Sequence, residues 1–372
     1  MNNAKNYPRK IIEDTLRLKN GTRKVSFRYD LLNNNDFKIG ELDGMTNAKI
    51  SYGEFRVIKR SATFKLNEYL RRHINFLTDR IQPWFVLHMP TGGAVEWPLG
   101  IFMSDSPDRD TTSNISTRDI GMCDKTLIIE QDKFLTREFF KKGTNYVDAV
   151  VRILNTAHIT KINIPETHYT LPADHDYKTG TKKHLACNDL LSAINYTALW
   201  VDEQGVMRSE PYIRPSDRPI THTYDTNKDS IVMPDFRESE DIANRPNVFK
   251  RVALNIEDDR ELISVFINND PSSSISTVSR GRQIVDFEQI DEIASQEALD
   301  TFVDRLAIES TSALTHLSFG SVLMPTHGRA ETLMCIFPEI FDSPLKFQET
   351  GWEMPLVYDG VMQHTARRVI RL

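Results

Sequence analysis

The segment Pro83-Trp84-Phe85-Val86-Leu87-His88-Met89-Pro90-Thr91-Gly92-Gly93-Ala94-Val95-Glu96-Trp97-Pro98-Leu99-Gly100-Ile101-Phe102 decides the fold class. Two apolar stretches flank a Pro-Thr-Gly-Gly turn, the pattern of a β-hairpin, because adjacent glycines tolerate the positive φ that tight hairpin turns demand. Upstream, Val25, Phe27 and Tyr29 alternate with Ser26, Arg28 and Asp30, a half-buried strand, before an Asn33–Asp36 loop. Lys49–Tyr52, Glu54–Ile58 and Ala62–Leu66 are short strand-like runs. Downstream, Ser116–Asp124 and Lys125–Glu130 continue the pattern. Many short strands separated by turn signals predict a mainly β region, a barrel or a sandwich, up to about residue 130. A helix-like stretch with Ile11, Ile12 and Leu16 on one face precedes it.

The periodicity then changes. Val147, Val150, Val151 and Leu154 share a helical face, with Asn145 and Asp148 as a capping pair. A second helix is expected over Lys183–Asn195, followed by a hairpin through Asp202-Glu203-Gln204-Gly205. Pro211, Pro215 and Pro219 then mark a linker. Beyond it come strands at Val248–Asn255 and Leu262–Ile267 around the charged turn at Glu257–Glu261, and a polar loop at Asn268–Ser276. Next is one helix at Gln296–Glu309 with Ser295 as its N-cap, then four β runs: Leu314–Met324, Glu331–Phe337, Phe347–Leu356 and Val361–Leu372. The order is β, α+β, β.

The 372 residues carry 46 Lys and Arg against 52 Asp and Glu, a formal charge of −6. Nucleic-acid binders draw their affinity from a basic surface, so this balance argues against that class. No apolar run is long enough to span a bilayer, and the first residues hold no apolar core of a secretory leader. Cys123, Cys187 and Cys335 sit far apart without CxxC spacing and read as reduced core thiols.

Catalytic spacings are missing. There is no HExxH, GxSxG, Walker or GxGxxG pattern, and Gly320-Ser321 lies in an alternating strand. Asp174-His175-Asp176 near His168 is the best metal-like patch, but it reads as a solvated loop. Asp105, Asp108 and Asp110 lack the ligand series of a calcium loop and read as an acidic turn. Arg280-Gly281-Arg282 and Arg367-Arg368 with Arg371 are short basic spots that could meet carboxylates across a subunit contact. No catalytic, cofactor-binding or metal-binding residue is assigned, and no cofactor is expected.

Several segments resemble one family. Trp97-Pro98-Leu99-Gly100-Ile101-Phe102 is similar to its "PLGIF" strand, followed here by Arg118-Asp119-Ile120-Gly121-Met122-Cys123-Asp124. Gly143–Val147, Asn188–Leu191, Ala193–Tyr196, Leu199–Glu203, Ser209–Tyr212, Arg245–Val248, Gly281–Val285 and His364–Val369 follow in the family's order. Together they resemble baseplate hub or tail-tip proteins of bacteriophages and prophages of Gram-positive bacteria, over roughly residues 40 to 372. The resemblance implies a mainly β fold, two tail-tube-like β-barrel domains joined by a small α+β domain. The expected division is an N-terminal extension with the first strand at 1–40, a first barrel at 41–130, the α+β insert at 131–215, and a second barrel with one packed helix at 216–372.

It further implies a non-enzymatic homotrimer in the virion tail, assembled in the host cytoplasm. Its expected partners are a distal tail or tail tube protein on one side and a spike, fibre or tape-measure protein on the other. DNA would pass through the lumen only in transit, and no stable membrane association is expected. The alternative is a tail-tip module that binds or degrades the cell wall, with Trp84, Trp97, Trp200 and Trp352 as a sugar platform.

Overall fold

A computed structural model describes residues 7–19, 21, 23–67, 74–112, 115–240, 245–255, 260–271, 273–290, 293–312 and 315–370. The first β region holds α1 (Arg9–Leu16), β1 (Lys24–Leu32), β2 (Lys38–Glu41), β3 (Met45–Gly53), β4 (Arg60–Asn67), β5 (Arg80–His88), β6 (Ala94–Pro98), β7 (Phe102–Thr112) and β8 (Ile115–Asp124). The insert holds α2 (Thr126–Gln131), β9 (Glu138–Phe140), α3 (Tyr146–Thr156), β10 (Ile162–Asn163), β11 (His175–Tyr177), α4 (Lys183–Ala193), β12 (Trp200–Val201) and β13 (Met207–Arg208). The last region begins with β14 (His222–Asp225), β15 (Val232–Glu240), β16 (Val248–Asn255), β17 (Arg260–Ile267), α5 (Thr277–Arg280) and β18 (Val285–Ile290). It ends with α6 (Gln296–Ser312), β19 (Thr315–Val322), β20 (Thr332–Ile336), β21 (Leu345–Pro355) and β22 (Val361–Arg368). The fold is mainly β with an α+β insert, as the sequence predicts.

The hairpin that opens the sequence argument is present: β5 and β6 pair from Trp84↔Pro98 to His88↔Ala94 across Gly92 and Gly93, both at positive φ. Gly100, in the PLGIF-like strand, has φ +132°, and a Cβ there would meet the Phe102 ring at 2.9 Å. Only glycine accommodates that conformation and that approach.

The two β regions share one large sheet and form no closed barrel among the described residues. Its path runs β15-β19-β22-β21-β3-β4-β8-β7-β5-β1-β2. The seam is β21 against β3, from Gly351↔Gly53 to Pro355↔Lys49, with Trp352 and Tyr52 stacked at 5.8 Å. One hydrophobic core serves both halves, including Phe64, Phe85 and Phe102 from the first and Phe319, Phe347 and Met362 from the last. β1, within the expected extension, lies along β5 over nine pairs and belongs to this sheet.

The insert builds its own core from Tyr146, Val150, Ile153, Leu154, Leu190 and Leu191. Asn145 caps α3, its side-chain oxygen accepting from the N–H groups of Val147 at 2.9 Å and Asp148 at 3.3 Å. A separate three-stranded sheet, β17-β16-β18, lies against α6. Ser295 caps that helix by accepting from Ala298 N–H at 3.1 Å.

Three expected elements differ. Lys125–Glu130 is helical in α2, because the buried Asp124 carboxylate accepts from Thr126 N–H at 2.8 Å and starts a turn. Glu54–Ile58 is a turn rather than a strand; it reverses the chain between β3 and β4 and leaves Phe55 and Val57 exposed. Asp105–Asp110 belongs to β7, not to a turn, and Pro107 is tolerated there because that stretch of β7 has β8 on one side only. Most of the charged turn at Glu257–Glu261, together with Leu314, Arg371 and Leu372, lies outside the described residues. Among the described residues no helix is long and apolar enough to cross a membrane.

Candidate assembly site

Eight consecutive strands, β15-β19-β22-β21-β3-β4-β8-β7, form one continuous span of the sheet. Every neighbouring pair is antiparallel. Burial alternates along β4, β21 and β22, so one face lies on the core and the other does not. On the outer face, cross-strand register lines up Gly320, Gln363, Glu353, Ser51, Ser61 and Cys123 in one row across six strands. A parallel row holds Lys49, Thr63, Gly121 and Ser106. The outer face is therefore polar and small-residue rich.

Two of its lysines are matched. Lys49 Nζ lies 3.0 Å from Glu353, and Lys65 Nζ lies 3.2 Å from Asp119, whose cross-strand neighbour on β7 is Asp108. The exposed β7 adds Asp105 and Asp110.

The two outer strands of this span are open. Beyond Arg80↔Met103 and Ile81↔Phe102, where β7 meets β5, Ser104–Thr112 pairs only with β8 among the described residues. Among the described residues β15 pairs only with β19. Open edges are pairing sites, and proteins blunt them with prolines, bulges and charges. All three devices occur here: Pro107 and Pro234, register shifts at Ser104/Ser106 and at Val232/Phe236, and carboxylates at Asp105, Asp108, Asp110, Asp235, Glu238 and Glu240. Arg109 and Arg237 are the cations among them.

Under the seam lies a cluster the sequence does not reveal. Glu349 holds two histidines, with His327 Nδ1 and His364 Nδ1 each 2.7 Å from one of its carboxylate oxygens. Tyr224 Oη is 2.7 Å from His327 Nε2, and Ser321 Oγ is 2.8 Å from His364 Nε2. His222 stacks on His327 at 4.0 Å. Glu349 is 0% exposed, His364 1% and His327 3%. Burial pulls His364 down to about 4, against the raising effect of Glu349, and pulls His327 down to about 3. Burial pushes the Glu349 carboxyl up. His327, Glu349 and His364 bring three donor atoms close enough to be tested as a metal site. Ligands around a tetrahedral zinc at 2.0–2.2 Å stand about 3.3 Å apart. The 2.7 Å contacts are hydrogen-bond lengths, and all four ring nitrogens are partnered. The cluster fits a hydrogen-bonded core network and not a metal centre.

The residues weighed from sequence are scattered. Asp176 is paired with Arg137 at 2.6 Å, and Asp174 accepts from Lys142 N–H at 2.8 Å. His175 lies on β11 rather than in a loop, paired with Phe140. Trp84, Trp97 and Trp352 are buried, which leaves no sugar platform of the four tryptophans. Cys187 and Cys335 are buried and Cys123 is half-buried, all as free thiols. A signal for His364 does exist, since Met362 and Ala366 flank it at i±2 and point the ring inward.

No protein-family model matches the chain, and no curated protein sequence does. Solved structures do share the fold. A tail protein from Neisseria meningitidis MC58 matches with a TM-score of 0.65 at 11% identity, over 92% of this chain and 96% of that one. The 43 kDa tail protein of prophage MuSo2 from Shewanella oneidensis matches with a TM-score of 0.65 at 10% identity, over 93% and 98%. The prophage tail protein gp18 from Listeria monocytogenes EGD-e matches with a TM-score of 0.57 at 10% identity, over 91% and 94%. The chain thus has, over nearly its whole length, the fold of phage tail proteins.

Proposed function

We propose that the chain is a non-enzymatic hub of a phage or phage-like tail, three copies of which form a ring between the tail tube and the tail tip. The observation that carries this is the seam. β21 and β3 join two four-stranded antiparallel units, β15-β19-β22-β21 and β3-β4-β8-β7, inside one chain. With eight alternating strands, β7 of one copy meets β15 of the next antiparallel, the same relation that the seam makes within the chain. Three copies close a ring of six similar units, which offers near-sixfold contacts to a tube and threefold contacts to a tip. Pro107 and Pro234 confine the new ladder to Asp108–Thr112 and Phe236–Glu240.

In such a ring the polar outer face lines the lumen. Paired lysines and surplus carboxylates repel a polyanion, so DNA passes without being held. The partners are a distal tail or tube protein above and a spike, fibre or tape-measure protein below. The units expected at 41–130, 131–215 and 216–372 are then the first tube-like unit, the insert and the second tube-like unit, with 1–40 as an extension. The cell-wall-active alternative has no observation in its favour.

Cross-linking tests the ring. Asp110→Cys and Glu238→Cys in one chain, with Cys123→Ser, are joined by a short bismaleimide in assembled particles. The expected product is a ladder ending at trimer. Cross-links confined to monomers, or a ladder ending elsewhere, would refute it.

A further inference from the structure

We propose that the cleft where the β3–β4 turn, the insert, α6 and β22 meet binds a small oxyanion, a phosphate or a carboxylate group. The cavity measures about 300 Å³. Its lining includes Arg56, Lys59, Arg218, Arg305, Arg329 and Arg367, with only Glu54 and Glu309 as carboxylates. Glu210, just behind, accepts from Arg329 at 3.1 Å and Arg218 at 3.3 Å, while Glu54 accepts from Arg329 at 2.5 Å and Glu309 from Arg305 at 2.8 Å. Six cations therefore share three carboxylates. Arg367 is the unmatched one inside: its guanidinium lies 4.1 Å over the Phe55 ring, with no carboxylate at salt-bridge distance among the described residues. Burial, with Arg245 nearby, holds its pKa below the usual range.

A second observation is independent of charge. Four residues that line this cavity each carry a buried polar atom without a hydrogen-bond partner, just behind its wall: Tyr212 Oη, Ser312 Oγ, Arg329 Nε and Arg367 Nε. Ser312 is 5% exposed. Unmet buried donors are costly and rare, and four around one cavity ask for an acceptor. Two hydroxyls and two guanidinium N–H groups match an oxyanion, whose oxygens accept from several directions. Arg367 was already conspicuous in the sequence as part of the Arg367-Arg368 pair, and only Arg367 turns into the cleft.

Thermal unfolding in phosphate, succinate or sodium chloride at matched ionic strength tests the site, since a ligand that binds the folded state raises Tm by mass action. The expected result is a saturable rise of about 3 °C with one or both oxyanions over chloride. A rise with phosphate alone assigns a phosphate ligand; a rise with succinate, alone or with phosphate, assigns a carboxylate site that a partner's acidic side chain can fill. Arg367→Gln should abolish the increment, and Arg368→Gln should keep it. Ser312→Asp, which places a carboxylate in the cavity, should also abolish it. Equal Tm in all three salts, as for a water-filled cavity, overturns the proposal. So does an increment that survives both Arg367→Gln and Ser312→Asp.

Discussion

Replacing Glu349 gives the sharpest test of how the core beneath the seam is held. Glu349→Ala leaves two ring Nδ1–H donors, at His327 and His364, without acceptors in a site sealed from water. Each buried unmet donor costs about 1–3 kcal/mol, and the lost side-chain volume adds to that. The expected loss is about 3–6 kcal/mol, a large part of the roughly 5–15 kcal/mol that holds a domain folded. Glu349→Gln behaves differently. Its carbonyl oxygen accepts from one ring and its NH₂ donates to the other, whose proton moves to Nε2 opposite a hydroxyl oxygen, so the cost is about 1 kcal/mol.

The pH dependence follows from the same cluster. Burial holds His364 at about 4, while the unfolded ring titrates near 6.5, so the unfolded chain binds the extra proton. That stability is present above pH 6.5 and is lost as pH falls toward 4, by about 3 kcal/mol for this ring. The Glu349 carboxyl, raised by burial, works in the opposite sense, taking up its proton more readily when folded. Glu349→Gln removes that offset, so the variant should lie about 1 kcal/mol below the parent near pH 8 and fall further below it at pH 5. Urea unfolding followed by tryptophan fluorescence at both pH values reads all of this. Equal losses for the Ala and Gln variants at pH 8 would refute the hydrogen-bond accounting.

Three further outcomes are expected. Gly100→Ala forces a Cβ against the Phe102 ring at positive φ and should cost about 2 kcal/mol or more in denaturant unfolding. Asn145→Ala removes the α3 cap and the Nδ2–H bond to Thr167 O at 2.7 Å and should cost about 1–2 kcal/mol, with Asn145→Asp restoring the cap but not the bond to Thr167. The facing edges of β7 and β15 carry six carboxylates against two arginines, so association should strengthen from low to moderate salt in sedimentation and in Asp110→Asn at low salt; weakening with salt contradicts that reading.

Much of the fold was legible because it is local. The Gly92-Gly93 hairpin, the Asn145 cap and the Ser295 cap are written in a few adjacent residues. Lys125–Glu130 misleads because Leu127-Ile128-Ile129 is too short a run to show a period, and Asp124 decides it through its side chain. The seam was not legible, since Gly53 and Gly351 meet from 298 positions apart and no local pattern encodes which strands become neighbours. The Glu349 cluster was hidden for the same reason: its members are ordinary inward positions of separate strands, and only the fold makes them one network. The cationic cleft gave one trace, the Arg367-Arg368 pair, while Arg305, Arg329 and Ser312 joined it through tertiary contact.

Electron cryomicroscopy of the assembled tail, resolving strands at the junction of tube and tip, tests the central claim directly. The account predicts three copies of this chain in a closed ring of twenty-four antiparallel strands, β7 of each hydrogen-bonded to β15 of the next and the Ser51–Ser61 row facing the lumen. A chain lying outside the tube wall, or a ring in which β7 and β15 remain unpaired with neighbouring copies, contradicts it.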